Sequence, residues 1–157
     1  MLKYRSGEAV YFRERILRRD KQAVWKGWVH EAIEPFGNIT YEDITILHKK
    51  EKPSSGSRNL DIYRKMQQAG ETFSPRDTFY FARELYYNGL YKEAIEGFDR
   101  VIASPHAWIE NKISACEHRA DCLLALQEGE ESKRSLLTSF LFSPRAELIC
   151  KLGGIYM

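Results

Sequence analysis

The stretch 79–102, FYFARELYYNGLYKEAIEGFDRVI, constrains the fold more than any other part of the chain. Two segments of helix length meet in it at Asn88-Gly89. Small residues stand where two helices must approach closely, at Ala82 and Ala94. Large apolar residues fill the space around them: Phe81, Leu85, Tyr91, Ile95, Phe98 and Val101. Gly89 can take the positive φ that ends a helix, so it is a natural residue just past a helix C-terminus. The stretch therefore predicts a helix–turn–helix unit.

Helical expectations extend on both sides of it. Ser57 is expected to cap a helix running to about Ala69, with Leu60, Tyr63 and Met66 on one face and Gly70 ending it. Ser74 is the expected cap of the next helix. Pro75 fits its first position, and Asp77 its third, where a carboxylate can reach back to the cap. That helix runs to about Asn88, and 91–103 follows. Beyond Pro105, residues 108–127 read as a long helix with Ile113, Cys116, Ala120, Leu123 and Leu124 inward. Gly129 separates it from 130–142, where Leu136, Leu137 and Phe140 face in. Here Ala120 takes the place of Ala82, and Ser132 that of Ala94. Ser143-Pro144-Arg145 repeats Ser74-Pro75-Arg76 and is expected to open a last helix through Leu148 and Leu152. Stacked helix pairs of this kind bury a continuous core. The order Ala82, Leu85, Gly89, Tyr91, Ala94, Phe98 resembles the tetratricopeptide (TPR) repeat, a helix pair of about 34 residues. That resemblance identifies an architecture rather than a chemistry.

The first fifty residues have a different texture. Residues 9–19 mix aromatic, β-branched and basic residues and read as one or two strands, with Val10, Phe12 and Ile16 toward a core and Arg13, Arg15 and Arg18 outward. The basic run invites a phosphate-binding reading, but Glu14 and Asp20 dilute it, and a solvated strand face is preferred. Trp25, Trp28 and Val29 favour extended backbone in 23–33, with Gly27 marking a bulge or close approach. Residues 39–47, ITYEDITIL, form the clearest strand by composition. A strand-rich segment of this length is small for an independent core. Residues 49–57, KKEKPSSGS, read as a linker. The expected architecture is α+β and mainly α: a short strand segment, then a TPR-like array of about six helices in antiparallel pairs.

Composition excludes several classes. With 157 residues, 43% hydrophobic and 29% charged, the chain has enough apolar material for a packed core of one domain or two small ones. A net charge of +2 is smaller and less clustered than a nucleic-acid partner usually requires. No apolar run approaches a membrane span, and the first twenty residues are too charged for a signal peptide. The three cysteines, Cys116, Cys122 and Cys150, have no metal-site spacing and are expected to be buried, reduced thiols of a cytoplasmic protein.

The chain contains no Gly-rich phosphate loop, no HExxH and no GxSxG. Cys116, His118 and Cys122 share one helix at core spacing, so packing is preferred over nucleophilic catalysis. The informative group is Trp25-Lys26-Gly27-Trp28-Val29-His30-Glu31, followed by Ile46-Leu47-His48. A His-Glu pair at a strand end can supply a general base or a metal ligand, and a second His arriving on the next strand can add to the site. By themselves these also read as ordinary polar strand-end residues, since neighbours on a strand point to opposite faces.

The order W-x-G-x-V-H-E, a strand ending I-x-H, then R-N-L, S-P-R-D-x-F-Y-F-A-R-E-L-Y and P-R-A-E resembles the C-terminal half of a bacterial family 2 glycosyltransferase. It is similar to the branch in which a GT-A catalytic domain precedes TPR-like helices, and the similarity runs from about Phe12 to Tyr156. The resemblance implies that residues 1–50 are the terminal strands of a GT-A-like domain, incomplete here, and that 57–157 are a TPR-like helical domain. It implies that Glu31 lies near the acceptor as the catalytic base, that His30 supports it, and that His48 joins the metal or diphosphate site. A divalent metal, Mn²⁺ or Mg²⁺, and a nucleotide-sugar belong to the complete enzyme. Its DxD-type aspartates and its Rossmann-like half have no counterpart in this sequence, and Asp43 in Y-E-D is not that motif. The expectation is thus a region inactive alone, partnered by a GT-A N-terminal half or by a protein or peptide acceptor. The alternative is a stand-alone TPR-like interaction module.

Overall fold

The structure, a computed structural model, describes residues 1–14, 16–18, 23–29, 31–33, 36–49 and 56–156, with only the backbone of Ala32. The chain divides into two compact units, Met1–Ser55 and Gly56–Met157. Most of the expected linker, residues 50–55, lies outside the described residues. The architecture is α+β and mainly α, with every described strand before residue 49 and six helices after residue 57.

The first unit holds β1 (Leu2–Ser6), β2 (Ala9–Arg13), β3 (Trp25–Lys26), β4 (Ala32–Ile33) and β5 (Glu42–Leu47). β1 pairs antiparallel with β2 and parallel with β5, giving the order β2-β1-β5, while β3 and β4 form a separate antiparallel pair. β1 is a strand that sequence reasoning did not anticipate, although Leu2 and Tyr4 alternate with Lys3 and Arg5 ahead of a Ser-Gly-Glu turn. The inward assignment of Val10, Phe12 and Ile16 is corrected: they are 55%, 43% and 76% exposed. Val10 and Phe12 alternate along β2, where Phe12 meets the edge of the Tyr41 ring at 5.0 Å, and Ile16 lies beyond the end of the strand. Within this unit, buried apolar side chains are limited to Leu2, Val29 and Ile33 among the described residues.

The second unit is built from α1 (Arg58–Gln68), α2 (Pro75–Tyr87), α3 (Tyr91–Ala103), α4 (Ile109–Ala125), α5 (Gly129–Ser139) and α6 (Ala146–Tyr156). Each helix from α2 onward packs against the next. Leu60, Tyr63 and Met66 dock α1, and the Asn59 amide donates to the buried Glu84 carboxylate at 3.1 Å. α2 starts as its sequence demands. The Asp77 N–H donates to the Ser74 hydroxyl at 3.1 Å, and Pro75 occupies the first turn. Two other caps are corrected. Ser57 has near-helical backbone angles and makes no side-chain cap bond. Ser143 does not open α6, because the first carbonyl to accept there belongs to Arg145, whose guanidinium bonds Glu110 on α4.

The two central pairs are copies offset by 38 residues, the separation of Ala82 from Ala120. Ala82, Leu85, Ala94 and Phe98 are buried in the first pair, and Ala120, Leu123, Ser132 and Leu136 in the second. The turns match as well. Leu90 N–H donates to the Leu85 carbonyl and Glu128 N–H to that of Leu123, at 3.0 and 2.8 Å, as in a Schellman ending. The left-handed residue is Gly89 (φ 75°) in one turn and Gln127 (φ 64°) in the other. Gly129, expected to separate the second pair, is instead the first residue of α5. Leu124 and Leu137, expected inward, are 38% and 46% exposed, and Cys122, Ser135 and Ser139 occupy the core positions. The core falls into two clusters, one around Phe79, Leu85 and Phe98, the other around Ile113, Leu136 and Leu148.

Candidate functional site

The first unit carries the residues selected from sequence. Trp25 stands opposite Ile33 and Lys26 opposite Ala32, so residues 27–31 close a short hairpin. Val29 and Ile33, each 5% exposed, anchor it. Glu31 lies directly before β4 and is exposed. His30 lies outside the described residues. His48 follows β5 and is also exposed. Its N–H donates to the Arg5 carbonyl at 2.8 Å, and its ring lies 5.5 Å from that of Tyr4.

Glu31 and His48 thus belong to different sheets, and no hydrogen bond or ion pair joins them. Each can meet an incoming group, because neither is sealed in a core. Among the described residues no three His, Cys, Asp or Glu side chains gather closely enough to hold a metal ion. His48 is one potential ligand without carboxylate companions, and these residues by themselves do not fit a Mn²⁺ or Mg²⁺ centre, which takes mainly oxygen ligands. Asp43, on β5, is engaged by the Lys3 ammonium, whose hydrogen bond and charge hold its carboxyl below the ordinary value. An open groove of about 700 Å³ is lined by Leu2, Ile16, Leu17, Phe36, Thr40 and Glu42, among others.

In the helical unit, Cys116 and Cys122 are packed as core residues. Burial pushes the Cys116 thiol up to about 11 and that of Cys122 to about 12, the reverse of what an attacking thiolate needs. Cys150, expected to be buried, is exposed on α6. The His118 ring stacks on Tyr86 at 5.1 Å and packs near Phe98, and burial holds its pKa below the ordinary value.

Sequence reasoning missed one surface. Arg76, Tyr80, Arg83 and Tyr87 follow one another at spacings of four, three and four along α2, a stripe that was legible as such. The guanidinium groups of Arg76 and Arg83 lie 4.8 and 4.6 Å from the Tyr80 ring centre. A cavity of about 250 Å³ opens beside them, lined by Ser74, Arg76, Tyr80, His106, Trp108 and Asn111, among others.

No helix among the described residues is long and apolar enough to cross a membrane. Comparison with known proteins gives no match to a family model, to a curated protein or to a solved structure.

Proposed function

We propose that the chain is the C-terminal region of a cytoplasmic, bacterial-type glycosyltransferase. The complete enzyme would transfer a sugar from a nucleotide-sugar to an acceptor hydroxyl. In this reading Glu31 takes the acceptor proton and His48 faces the leaving diphosphate, with His30 beside Glu31. The donor and its divalent metal are held mainly by a GT-A half. The helices form a TPR-like domain that follows it in the sequence.

The observation that carries this reading is the uncovered sheet of the first unit. The sheet is mixed, with β1 antiparallel to β2 and parallel to β5, and an antiparallel edge strand beside parallel ones is common in doubly wound α/β domains. Yet Val10, Phe12, Tyr41, Ile44 and Leu47 all stand 43% exposed or more. A sheet with this much apolar surface exposed, and with His48 exposed at the end of β5, suits the edge of a larger α/β domain. Transfer assays test this. The purified chain alone is expected to turn over no UDP- or GDP-sugar, and addition of a GT-A nucleotide-binding half is expected to confer transfer. Turnover by the chain alone would contradict the division of labour.

The cavity beside Tyr80 and Trp108 favours a second reading, a TPR-like module that binds a partner peptide. Peptide capture that is lost in Tyr80→Ala, with no transfer under any complementation, would select it.

A further inference from the structure

We propose that the β3–β4 hairpin is a platform for a sugar acceptor. The indoles of Trp25 and Trp28 stack on the apolar face of a pyranose, and Glu31 accepts hydrogen bonds from its hydroxyls. The inference rests on the reading that Glu31 faces the acceptor, and it narrows that acceptor from any hydroxyl to that of a carbohydrate.

Three observations carry it. First, the hairpin is fixed without its tryptophans: Val29 and Ile33 supply the buried contact, while Trp25 and Trp28 remain 58% and 56% exposed. Indoles carry the largest apolar area of any side chain, and leaving two of them in water three positions apart is the pattern of a ligand surface rather than of a core. No ring contact engages either indole among the described residues, and more than half of each residue's surface is exposed to a flat apolar partner. Second, the turn confines the groups. Trp28 and Glu31 are three residues apart, so their Cα atoms lie within about 10 Å even if the chain is fully extended. Trp25 is held across from Ile33, two residues beyond Glu31. Third, the chemistry is mixed in the way a sugar is mixed. A pyranose has an apolar C–H face and a rim of hydroxyl donors. An aromatic plane together with an exposed carboxylate offers a partner for each, whereas an apolar protein surface would leave Glu31 unanswered.

The test uses the purified full chain and four methyl glycosides, those of glucose, galactose, mannose and N-acetylglucosamine, with a serine-containing peptide as the protein-acceptor arm. In saturation-transfer NMR the ring C–H protons of at least one glycoside are expected to receive saturation. Its dissociation constant should be on the order of 1 mM, as suits so small a ligand. The indole N–H signals of Trp25 and Trp28 should shift during the titration, and that of Trp108 should not. Trp28→Ala is expected to weaken binding at least about tenfold, Trp28→Phe to keep part of it, and Glu31→Gln to weaken it. The indole shifts are read on unaltered protein, so a variant that fails to fold does not block the test. Absence of binding by all four glycosides overturns the proposal. So does binding that survives Trp28→Ala or shifts only Trp108, and so does binding of the serine peptide with no glycoside. None of these results touches the glycosyltransferase reading, which donor turnover tests separately.

Discussion

Gly97 meets Ala82 where α3 crosses α2, and a Cβ at position 97 would lie 2.6 Å from the Ala82 Cβ. Both atoms are fixed to helix backbone, so neither can swing aside. Gly97→Ala is expected to cost about 1–3 kcal/mol, the range for overpacking, seen as a lower denaturant midpoint at unchanged slope. Ala94→Leu, at a fully buried position of the same contact, is expected to fall in the same range. Gln127 holds the left-handed conformation that Gly89 holds without steric cost. Gln127→Gly is therefore expected to raise stability by about 1 kcal/mol, since a side chain in that region costs roughly that much. His118 carries a pH dependence. Its buried Nδ1 has no hydrogen-bond partner, Tyr86, Tyr87 and Phe98 pack against its ring, and Glu117, Asp121, Arg83 and Lys151 act on it electrostatically. Burial lowers its folded-state pKa below the ordinary 6.5, so its contribution to stability is complete above that value. The contribution is lost as the pH falls from 6.5 toward the folded-state pKa, because the unfolded chain takes up the proton first. Thermal unfolding of His118→Phe is expected to show a shallower decline across that interval.

At the scale of elements, the two central helix pairs are one design with different chemistry at the crossing. Ala94 fills the place in the first pair that Ser132 fills in the second, where the Ser132 hydroxyl donates to the Ala120 carbonyl at 2.9 Å and the Ser135 hydroxyl to that of Cys116 at 2.8 Å. The equivalence predicts that Ala94→Ser is tolerated within about 1 kcal/mol, because a hydroxyl there can donate to the Ala82 carbonyl and escape the penalty of an unpaired buried group. The comparison also explains what was legible in advance. Helix periodicity, Pro75 after Ser74 and the Ala82–Ala94 pair report local geometry, and α2 and α3 were bounded within a residue or so. The failures are equally physical. Ser143-Pro144-Arg145 copies the residues of the Ser74 cap, but the chain turns helical only after Arg145, which is tied to Glu110 on α4. Ser135 and Ser139 are buried with hydroxyls bonded to carbonyls, which hydrophobic patterning does not register. β1 was missed because it is short and half polar, and its pairing with β5 is set by residues about forty positions away. For the candidate site, the residue types of Glu31 and His48 were legible, but no local pattern places two strand ends from different sheets relative to each other.

At the scale of the whole molecule, the two units differ in how completely they satisfy their own sequences. The helical unit buries its apolar positions in two clusters and fixes its last helix through Lys151, which bonds Glu117 and Asp121 at 3.1 and 2.8 Å. The strand unit leaves most of its large apolar side chains in water. The proposed glycosyltransferase, in which a GT-A half would cover that sheet, would account for the difference and would give Glu31 and His48 their tasks. The measurement that tests this most directly is steady-state transfer by the enzyme reconstituted from this chain and a GT-A nucleotide-binding half, compared with the same enzyme carrying Glu31→Gln. The account predicts a kcat lower by a factor of at least about 100 with donor KM nearly unchanged, as expected for loss of a general base. Full turnover by Glu31→Gln would contradict it.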